Sequence, residues 1–262
     1  DMRAAKARTS FKNGYPTGLT WSPDSKKLYF STEKNDIYSF DPASGKLDRI
    51  LVSKLNGYRG ITVSPDGAWL AFTEENGSGQ NVIYLYNVAN GEIHPVTSKW
   101  YSSGSPLFSQ DGKYLYFTSA RTFSSQNAGV EWDAMLRMES SAFILPLAKS
   151  TPNPTALKSD EYKAVVAPAA PASAPAAKPG AAQVDKSVKV TVDFDGIENR
   201  ATKLPISGRF VYAPEGKLLY TAGGGYPGPG GPGGPGGQQG GAGVQVLDLS
   251  TMTSSPASFK GN

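Results

Sequence analysis

The feature that most restricts the fold of this sequence is a repeat of about 40 to 45 residues. The stretches WSPDSKKLYFST, VSPDGAWLAFTE and FSQDGKYLYFTS begin at Trp21, Val63 and Phe108, and their Asp residues recur 42 and 45 positions apart. A weaker fourth copy, YAPEGKLLYTA, begins at Tyr212 and carries Glu215 in place of the Asp. A second short apolar run follows each copy: DIYSFD, NVIYLYN, SAFILPL and VQVLDL. Several short strands in a unit of this length predict a β-propeller, whose blades are four-stranded antiparallel sheets around a channel.

The turn and the strand in each copy suit such a blade. The Pro of the first two copies sets the φ angle that a type I turn needs at its second position, and the Asp after it is a common turn former. In the strand that follows, Leu28 and Phe30 point to one face while the residues between them point to the other, so both faces carry bulk. Because the acidic residue recurs at one place in the blade, we interpret three carboxylates as turn formers without catalytic roles: Asp24, Asp66 and Asp111.

Composition agrees with an all-β chain that is rich in turns. The 262 residues include 30 Gly, 20 Pro and 13 Tyr, and 39% are hydrophobic, which is enough for a buried core. The net charge of +4 is spread without a block of five like charges, so no nucleic-acid partner is predicted. No run of about 18 apolar residues occurs, so no membrane span is predicted. The absence of cysteine excludes disulfides, thiolate zinc sites and a Cys nucleophile.

We expect these blades to belong to a larger protein. The sequence begins DMRAAKARTS, with neither a Met at position 1 nor the apolar stretch of a signal peptide. Four blades would also leave unpaired strand edges and an unclosed ring, unless further chain completes the circle. We therefore predict that the chain forms part of a six- or seven-bladed propeller. A closed four-bladed ring is the alternative.

Three segments interrupt the repeat and suggest a division of the chain. Residues 121–141 contain EWDAMLRMES, whose composition predicts a short helical insert in the third blade, either as a lid on one rim or as the cover of a blade edge. Residues 167–186 form a Pro/Ala-rich linker, and residues 223–243 form a Gly/Pro-rich loop. We therefore expect blades one to three in residues 1–166 and further blade structure in residues 187–262.

The motifs in the sequence predict no catalytic, cofactor-binding or metal-binding residue. The single histidine, His94, precedes Pro95 on what should be an outermost strand, and we interpret it as a surface residue. The stretch VDFDGIEN lacks the spacing of acidic ligands in an EF-hand loop, so we interpret it as a turn at a strand end. The pattern GxGxxG occurs only within the Gly/Pro-rich loop, where the strand and helix of a dinucleotide site are missing.

A longer series of motifs resembles one family. GLTWSPDSKKLYFST, VSPDGAWLAFT, SGSPLFSQDGKYLYFTSARTF and VTVDFDGIENRATKLPI follow one another as in the N-terminal propeller region of bacterial tricorn-type serine proteases. SPDG repeats also occur in TolB-like propellers and in prolyl-oligopeptidase relatives, but the third motif, the insert, the Pro-rich break and DFDGIENR together single out the tricorn-like group. In that family the propellers carry no catalytic residues and are similar to a filter that guides peptides to a C-terminal PDZ and serine-protease region, none of which this sequence contains.

The resemblance implies a substrate-handling role in recognition and gating, without bond cleavage. Expected partners are peptides or unfolded protein segments, the remaining domains of the parent protease and further copies in a homo-oligomer. Arg121 and Arg137 are candidates for contacting peptide carboxylates; the alternative is that both pair on the surface with Glu131, Asp133 or Glu139. The expected location is periplasmic or otherwise exported, with the cytoplasm as the alternative. Two other functions stay open: a TolB-like scaffold that binds a protein partner, and the propeller of a prolyl-oligopeptidase-type enzyme.

Overall fold

Sixteen strands in four sheets make up the part of the chain that the computed structural model describes, which is residues 14–34, 36–52, 58–127, 134–156, 188–222 and 243–257. The first sheet contains β1 (Pro16–Trp21), β2 (Leu28–Thr32), β3 (Asp36–Phe40) and β4 (Leu47–Val52). The second contains β5 (Tyr58–Val63), β6 (Trp69–Glu75), β7 (Asn81–Asn87) and β8 (Ile93–Pro95). The third contains β9 (Ser103–Phe108), β10 (Tyr114–Asn127), β11 (Ala134–Pro146) and β12 (Thr202–Lys203). The fourth contains β13 (Gly208–Tyr212), β14 (Lys217–Ala222), β15 (Val244–Asp248) and β16 (Thr253–Pro256).

Each sheet is an antiparallel meander in which strands adjacent in sequence pair with each other. The first strands of successive sheets also contact one another, so the sheets stand side by side like the blades of a propeller. These four described sheets do not close into a ring, as expected for part of a larger propeller. The predicted all-β fold with four recognisable blades is confirmed. None of the described residues form a helix of the length and apolarity that crossing a bilayer requires.

Neighbouring sheets are held together by side chains that alternate between the two faces of each strand. On β6, Leu70 and Phe72 face the first sheet and join the cluster built around Tyr29. Ala71 lies between them and points to the opposite face, where it joins a cluster with Phe117 of β10. A third cluster fills the seam between the third and fourth sheets in the same way. The two-residue period of a strand thus supplies both faces of a blade from one short run.

The repeated turns between first and second strands, Ser-Pro-Asp in the first two sheets and Ser-Gln-Asp in the third, share one hydrogen-bond pattern. In the second sheet, Ser64 Oγ donates to Asp66 Oδ1 (2.6 Å) and accepts the backbone N–H of Trp69 (2.9 Å). Ser22 with Asp24, and Ser109 with Asp111, repeat the pairing at 2.7 and 2.6 Å. The Ser22 hydroxyl also holds the pKa of the Asp24 carboxyl below its usual range. These contacts give the three carboxylates a structural role in their turns.

The predicted helix at residues 121–141 is wrong. Strands β10 and β11 pair continuously through most of this segment, up to Asn127 opposite Ala134, and residues 128–133 lie outside the described part of the chain. The pairing begins inside the blade, where Phe117 faces Phe143 and both side chains are buried. A strand pair anchored in this way continues outward because each added residue pair satisfies backbone hydrogen bonds, which outweighs a weak helical preference.

The third blade is completed by residues that follow the Pro/Ala-rich segment. β12 pairs with β11, with Lys203 opposite Phe143, so the third blade ends only after residue 203. Before it, Asp66 Oδ2 accepts the backbone N–H of Val190 (2.7 Å), and Val190 packs in the seam between the second and third blades. Gly112 has a φ of +70°, and a Cβ there would lie 2.8 Å from Val190 Cγ2. The predicted division at residues 167–186 therefore does not separate the blades, and that segment, like residues 223–242, lies outside the described residues.

Ser64→Ala should destabilise the second blade. Ser64 is fully buried, and its loss leaves the Trp69 N–H without its hydroxyl partner, at a cost of about 1–3 kcal/mol. Hydrogen exchange of the 64–75 segment should quicken accordingly. Ser78→Ala, at an exposed position in the β6–β7 turn, is the matched control and should change stability by less than about 0.5 kcal/mol. Equal effects of the two substitutions would contradict the role given to the turn serine.

Tyr116→Phe should leave the free energy of unfolding unchanged or raise it. Tyr116 Oη is buried without a hydrogen-bond partner among the described residues, so the substitution removes an unsatisfied group. In the same cluster, Tyr220 Oη donates to Ser254 Oγ (2.9 Å), and Tyr220→Phe should cost about 1 kcal/mol. Urea denaturation measures both values, and a Tyr116→Phe loss as large as that of Tyr220→Phe would refute the prediction.

Alkaline pH provides a second measurement on Tyr116. Burial strongly raises the pKa of its hydroxyl, so the folded chain keeps this proton while the unfolded chain loses it above about pH 10. Below pH 10 the hydroxyl is protonated in both states, and above pH 10 its ionisation in the unfolded chain lowers the free energy of unfolding by at most about 1.4 kcal/mol per pH unit. The unfolding free energy of Tyr116→Phe should therefore decline less steeply above pH 10 than that of the unsubstituted chain.

Candidate functional site

The two rims of the blades differ in what they present. The Ser-Pro-Asp turns between first and second strands all leave one end of their sheets, because the sheets share one meander and pack through equivalent positions. The turns between second and third strands leave the opposite end. Here β2–β3 and β6–β7 are joined by short turns, whereas β10 and β11 continue past their neighbours as a two-stranded ribbon. We call this ribbon, residues Ala120–Asn127 and Ala134–Ser140, the arm, and the rim from which it extends the arm rim.

Arg121 occupies a β-bulge at the base of the arm. The pairing of β10 with β11 shifts between Ser119, opposite Ser141, and Thr122, opposite Glu139, so two residues of β10 face only Ser140. A bulge adds local twist and changes the direction of a side chain. Its effect here is that the Arg121 guanidinium lies back over the blade, with Cζ 4.8 Å from the centre of the Phe143 ring and 5.4 Å from that of Phe117.

The polar contacts of Arg121 use only part of its hydrogen-bonding capacity. Nε donates to Ser119 Oγ (3.3 Å), which also accepts a hydrogen bond from the Ser103 hydroxyl (3.0 Å). Nη2 is buried and has no hydrogen-bond partner among the described residues. Burial lowers the pKa of Arg121, while the negative charge of Glu198 opposes that shift. An anion that reached Nη2 would supply the missing acceptor, and guanidinium–carboxylate hydrogen bonds are among the stronger ones in proteins.

The second predicted arginine is placed by its backbone only. Arg137 lies in the arm opposite Ser124, on β11, and its side chain is outside the described part of the chain. Residues 131 and 133 and the side chain of Glu139 are likewise outside it, so surface pairing with these acids stays a prediction. The two arginines thus belong to the same arm, but side-chain contacts are described only for Arg121.

Aromatic side chains surround the base of the arm. Tyr101 packs edge-on against Phe123, with ring centres 6.4 Å apart, and Phe123 is 56% exposed. Trp100 is 82% exposed and stands between two clefts of the arm rim. Sequence patterns did not single out these residues, although an exposed Trp in the polar run TSKWYSS could have drawn attention to this loop.

The larger cleft, of about 910 Å³, lies between the first and second blades. Its apolar wall includes Val52 of β4 and Ile93 of β8, which are 50% and 45% exposed. Glu75 and Lys99 add charges of opposite sign. Tyr84 also lines this cleft. Burial raises the pKa of its hydroxyl, and the negative charge of Glu74 raises it further. An apolar cleft with a few polar groups suits a ligand with both apolar and polar parts.

His94 and the VDFDGIEN stretch lie at the outer edge of the blades. His94 is on β8, the edge strand predicted for it, where it stacks on Phe194 at 4.0 Å and lies 3.6 Å from Glu92. Asp193 accepts the backbone N–H of Lys149 (2.7 Å), and a 3₁₀ helix, Ile197–Arg200, follows directly. This stretch therefore forms a turn, as predicted, but the described residues directly before it do not form the predicted strand.

Arg200 fastens that turn to the third blade, a role that sequence patterns did not indicate. Its guanidinium donates to the carbonyl oxygens of Pro146 (3.1 Å) and Leu147 (2.9 Å), and it also contacts the carbonyl oxygen of Asp193. Within the described ranges, no three His, Asp or Glu side chains converge as a metal site. The arrangement on the arm rim is suited to binding an extended ligand, through aromatic surfaces and an arginine with spare donors.

Comparison with known proteins identifies relatives of much of this chain. A family model described as the tricorn protease second beta propeller domain matches residues 1–222. Tricorn protease homolog 1 of Streptomyces coelicolor is 24% identical over 136 residues, covering 52% of this chain and 13% of that protein. The tricorn protease of Thermoplasma acidophilum is 24% identical over 164 residues, covering 60% of this chain and 15% of that protein. The chain thus spans about one seventh or less of the length of these relatives.

Solved structures agree on the fold. The crystal structure of the tricorn protease superposes with a TM-score of 0.64 at 19% identity, covering 98% of this chain and 24% of that chain. TolB from Acinetobacter baumannii superposes with a TM-score of 0.52 at 17% identity, covering 95% of this chain and 44% of that chain. Because the family model extends over residues 1–222 of 262, this chain belongs to the family of tricorn protease second β-propeller domains.

Proposed function

We propose that this chain is the substrate-handling propeller portion of a tricorn-like serine endopeptidase that hydrolyses peptides. It contributes recognition and gating of peptides or unfolded protein segments, and other domains of the same protease cleave the bond. Family membership supports the link to a protease. The observation that carries the recognition role is Arg121 at the base of the arm, whose buried Nη2 has no acceptor among the described residues.

The chemistry of the arm rim fits a peptide ligand. A free C-terminal carboxylate would give Arg121 the acceptor that the described residues do not provide. The neighbouring Phe123 and Trp100 expose aromatic surface to which apolar side chains of a peptide could pack. Backbone and side chains at blade tips are common places for such contacts, because loops and turns project from a rigid scaffold.

The proposal includes partners and location. The partners are the remaining domains of the protease and further copies of the chain in a homo-oligomer. An exported, periplasmic location belongs to the same proposal and rests on the sequence resemblance. A TolB-like scaffold without enzymatic connection is not favoured, because the TolB superposition reflects the fold alone whereas the family model matches tricorn-type propellers.

Arg121→Met in the native protein that contains this chain should weaken processing of peptides with a free C-terminus. Met keeps an apolar stem over Phe117 and Phe143 but removes the charged donors. Loss of a charged hydrogen bond of about 1.5 kcal/mol or more should lower kcat/KM about tenfold. Peptides with the same sequence and a C-terminal amide should be processed equally by both proteins.

Lys26→Ala is the control, since Lys26 is an exposed cation in a Ser-Pro-Asp turn on the opposite rim. This variant should process both kinds of peptide normally. An unchanged kcat/KM of Arg121→Met for free-ended peptides would remove Arg121 from substrate recognition. A loss of the same size for amidated peptides would point to damaged folding in place of lost carboxylate binding.

A further inference from the structure

The arm has strand edges that no third strand covers in the described sheets. β9 begins at Ser103, opposite Ser119, and β12 pairs only with residues 143 and 144 of β11. Beyond these positions β10 and β11 pair only with each other, up to Asn127 opposite Ala134. At about 3.4 Å per residue, Phe123–Asn127 extends for roughly 17 Å with one side paired to β11 and the other side unpaired among the described strands.

Open edges of this kind bind extended chains. In a strand, backbone N–H and C=O groups that do not point to the partner strand point to the other side, where another chain can pair with them. A two-stranded ribbon is only marginally stable alone, so a third strand also stabilises it. Strand addition of this type depends on the peptide backbone and tolerates many side chains.

We infer that the arm captures peptides by strand addition along Phe123–Asn127, with the peptide antiparallel to β10 and its C-terminal carboxylate at Arg121. This inference rests on the proposed function and specifies how the substrate is held. β10 runs outward from the blade, so an antiparallel peptide runs inward and ends at the base of the arm. Its position continues the line of β9, which is also antiparallel to β10.

Arg121 lies where that inward strand would end. The N–H of Ala120 donates to the carbonyl oxygen of Ser102 (2.9 Å), and among the described residues this is the outermost backbone hydrogen bond between β10 and the chain before β9. Arg121 follows directly, with Ser103 and Ser119 beside it and with no acceptor for Nη2 in the part of the chain that the structure describes. A carboxylate at the end of the added strand satisfies this donor, which the flank of an arm from a second copy does not. A peptide is therefore the occupant, and pairing between arms is an alternative outcome of the test.

Backbone methylation of the peptide tests strand addition on the unsubstituted chain. The probe is a fluorescein-labelled eight-residue peptide of Thr, Val and Ser with a free C-terminus, and anisotropy with residues 1–262 measures its binding. In an antiparallel pair only alternate peptide N–H groups face the arm. N-methylation at one set of alternate residues should therefore weaken binding at least tenfold, whereas methylation of the other set should have little effect. Equal losses from both sets, or none, would overturn the inference.

Two variants locate the site. In the first, Asn-Gly replaces residues 123–138, which joins Thr122 to its cross-strand partner Glu139 through a two-residue turn and keeps Arg121. This chain should lose binding while hydrogen exchange of the blade core stays unchanged. In the second, Arg121→Met, the preference for a free carboxylate over an amide should vanish. Binding by the shortened chain at full strength would refute capture by the arm but leave the proposed function standing, whereas no binding by any chain would count against both.

Arm-to-arm pairing gives a different result. It would appear as a doubling of mass with rising concentration that the shortened chain does not show. If such dimers form and the peptide does not bind, the partner of the arm edge is a second copy of the chain. That result would overturn the inference.

Discussion

The structure depends on the packing of one sheet face against the next, and that packing depends on strands whose two sides are both apolar. Leu70 and Phe72 fill the seam toward the first blade, while Ala71, Ile83 and Leu85 fill the seam toward the third. Most of the buried side chains belong to these seams, while Phe30, Tyr38 and Phe40 form a smaller cluster within the first blade. The Ser-Pro-Asp turns keep the paired strands in register, because their buried serines bind both the turn carboxylate and the following strand.

This construction leaves the rims free to vary. Turns and insertions at the ends of the strands do not disturb the seams, since the packed residues lie in the middle of each strand. The third blade uses this freedom by extending β10 and β11 into the arm, and a bulge places Arg121 where the extension begins. Its guanidinium then lies on the rings of Phe117 and Phe143, which belong to the seam itself. Buried rings of the seam thus orient the side chain whose Nη2 has no acceptor among the described residues.

The return of the chain after residue 187 connects distant parts of the same structure. Val190 bonds to the turn carboxylate of Asp66, Phe194 stacks on His94, and Arg200 holds carbonyl oxygens after β11. These contacts join the returning chain to the second and third blades, and β12 then completes the third sheet. The DFDGIENR stretch, which resembled the family motif, therefore has a structural task in this chain: it joins two blades that the sequence places far from it.

The sequence by itself determined the fold class, the four blades and the structural use of Asp24, Asp66 and Asp111, because turn chemistry and the two-residue period act over a few neighbouring residues. The same local evidence predicted a helix in 121–141, where the composition around Met135 and Leu136 is ambiguous, and only pairing with the strand rooted at Phe117 and Phe143 decided for β11. The assignment of β12 to the third blade, the bulge at Arg121 and the cleft beside Trp100 depend on contacts between residues far apart in the chain. The local spacing of apolar residues in the sequence carries no information on such contacts, so only the tertiary structure decides them.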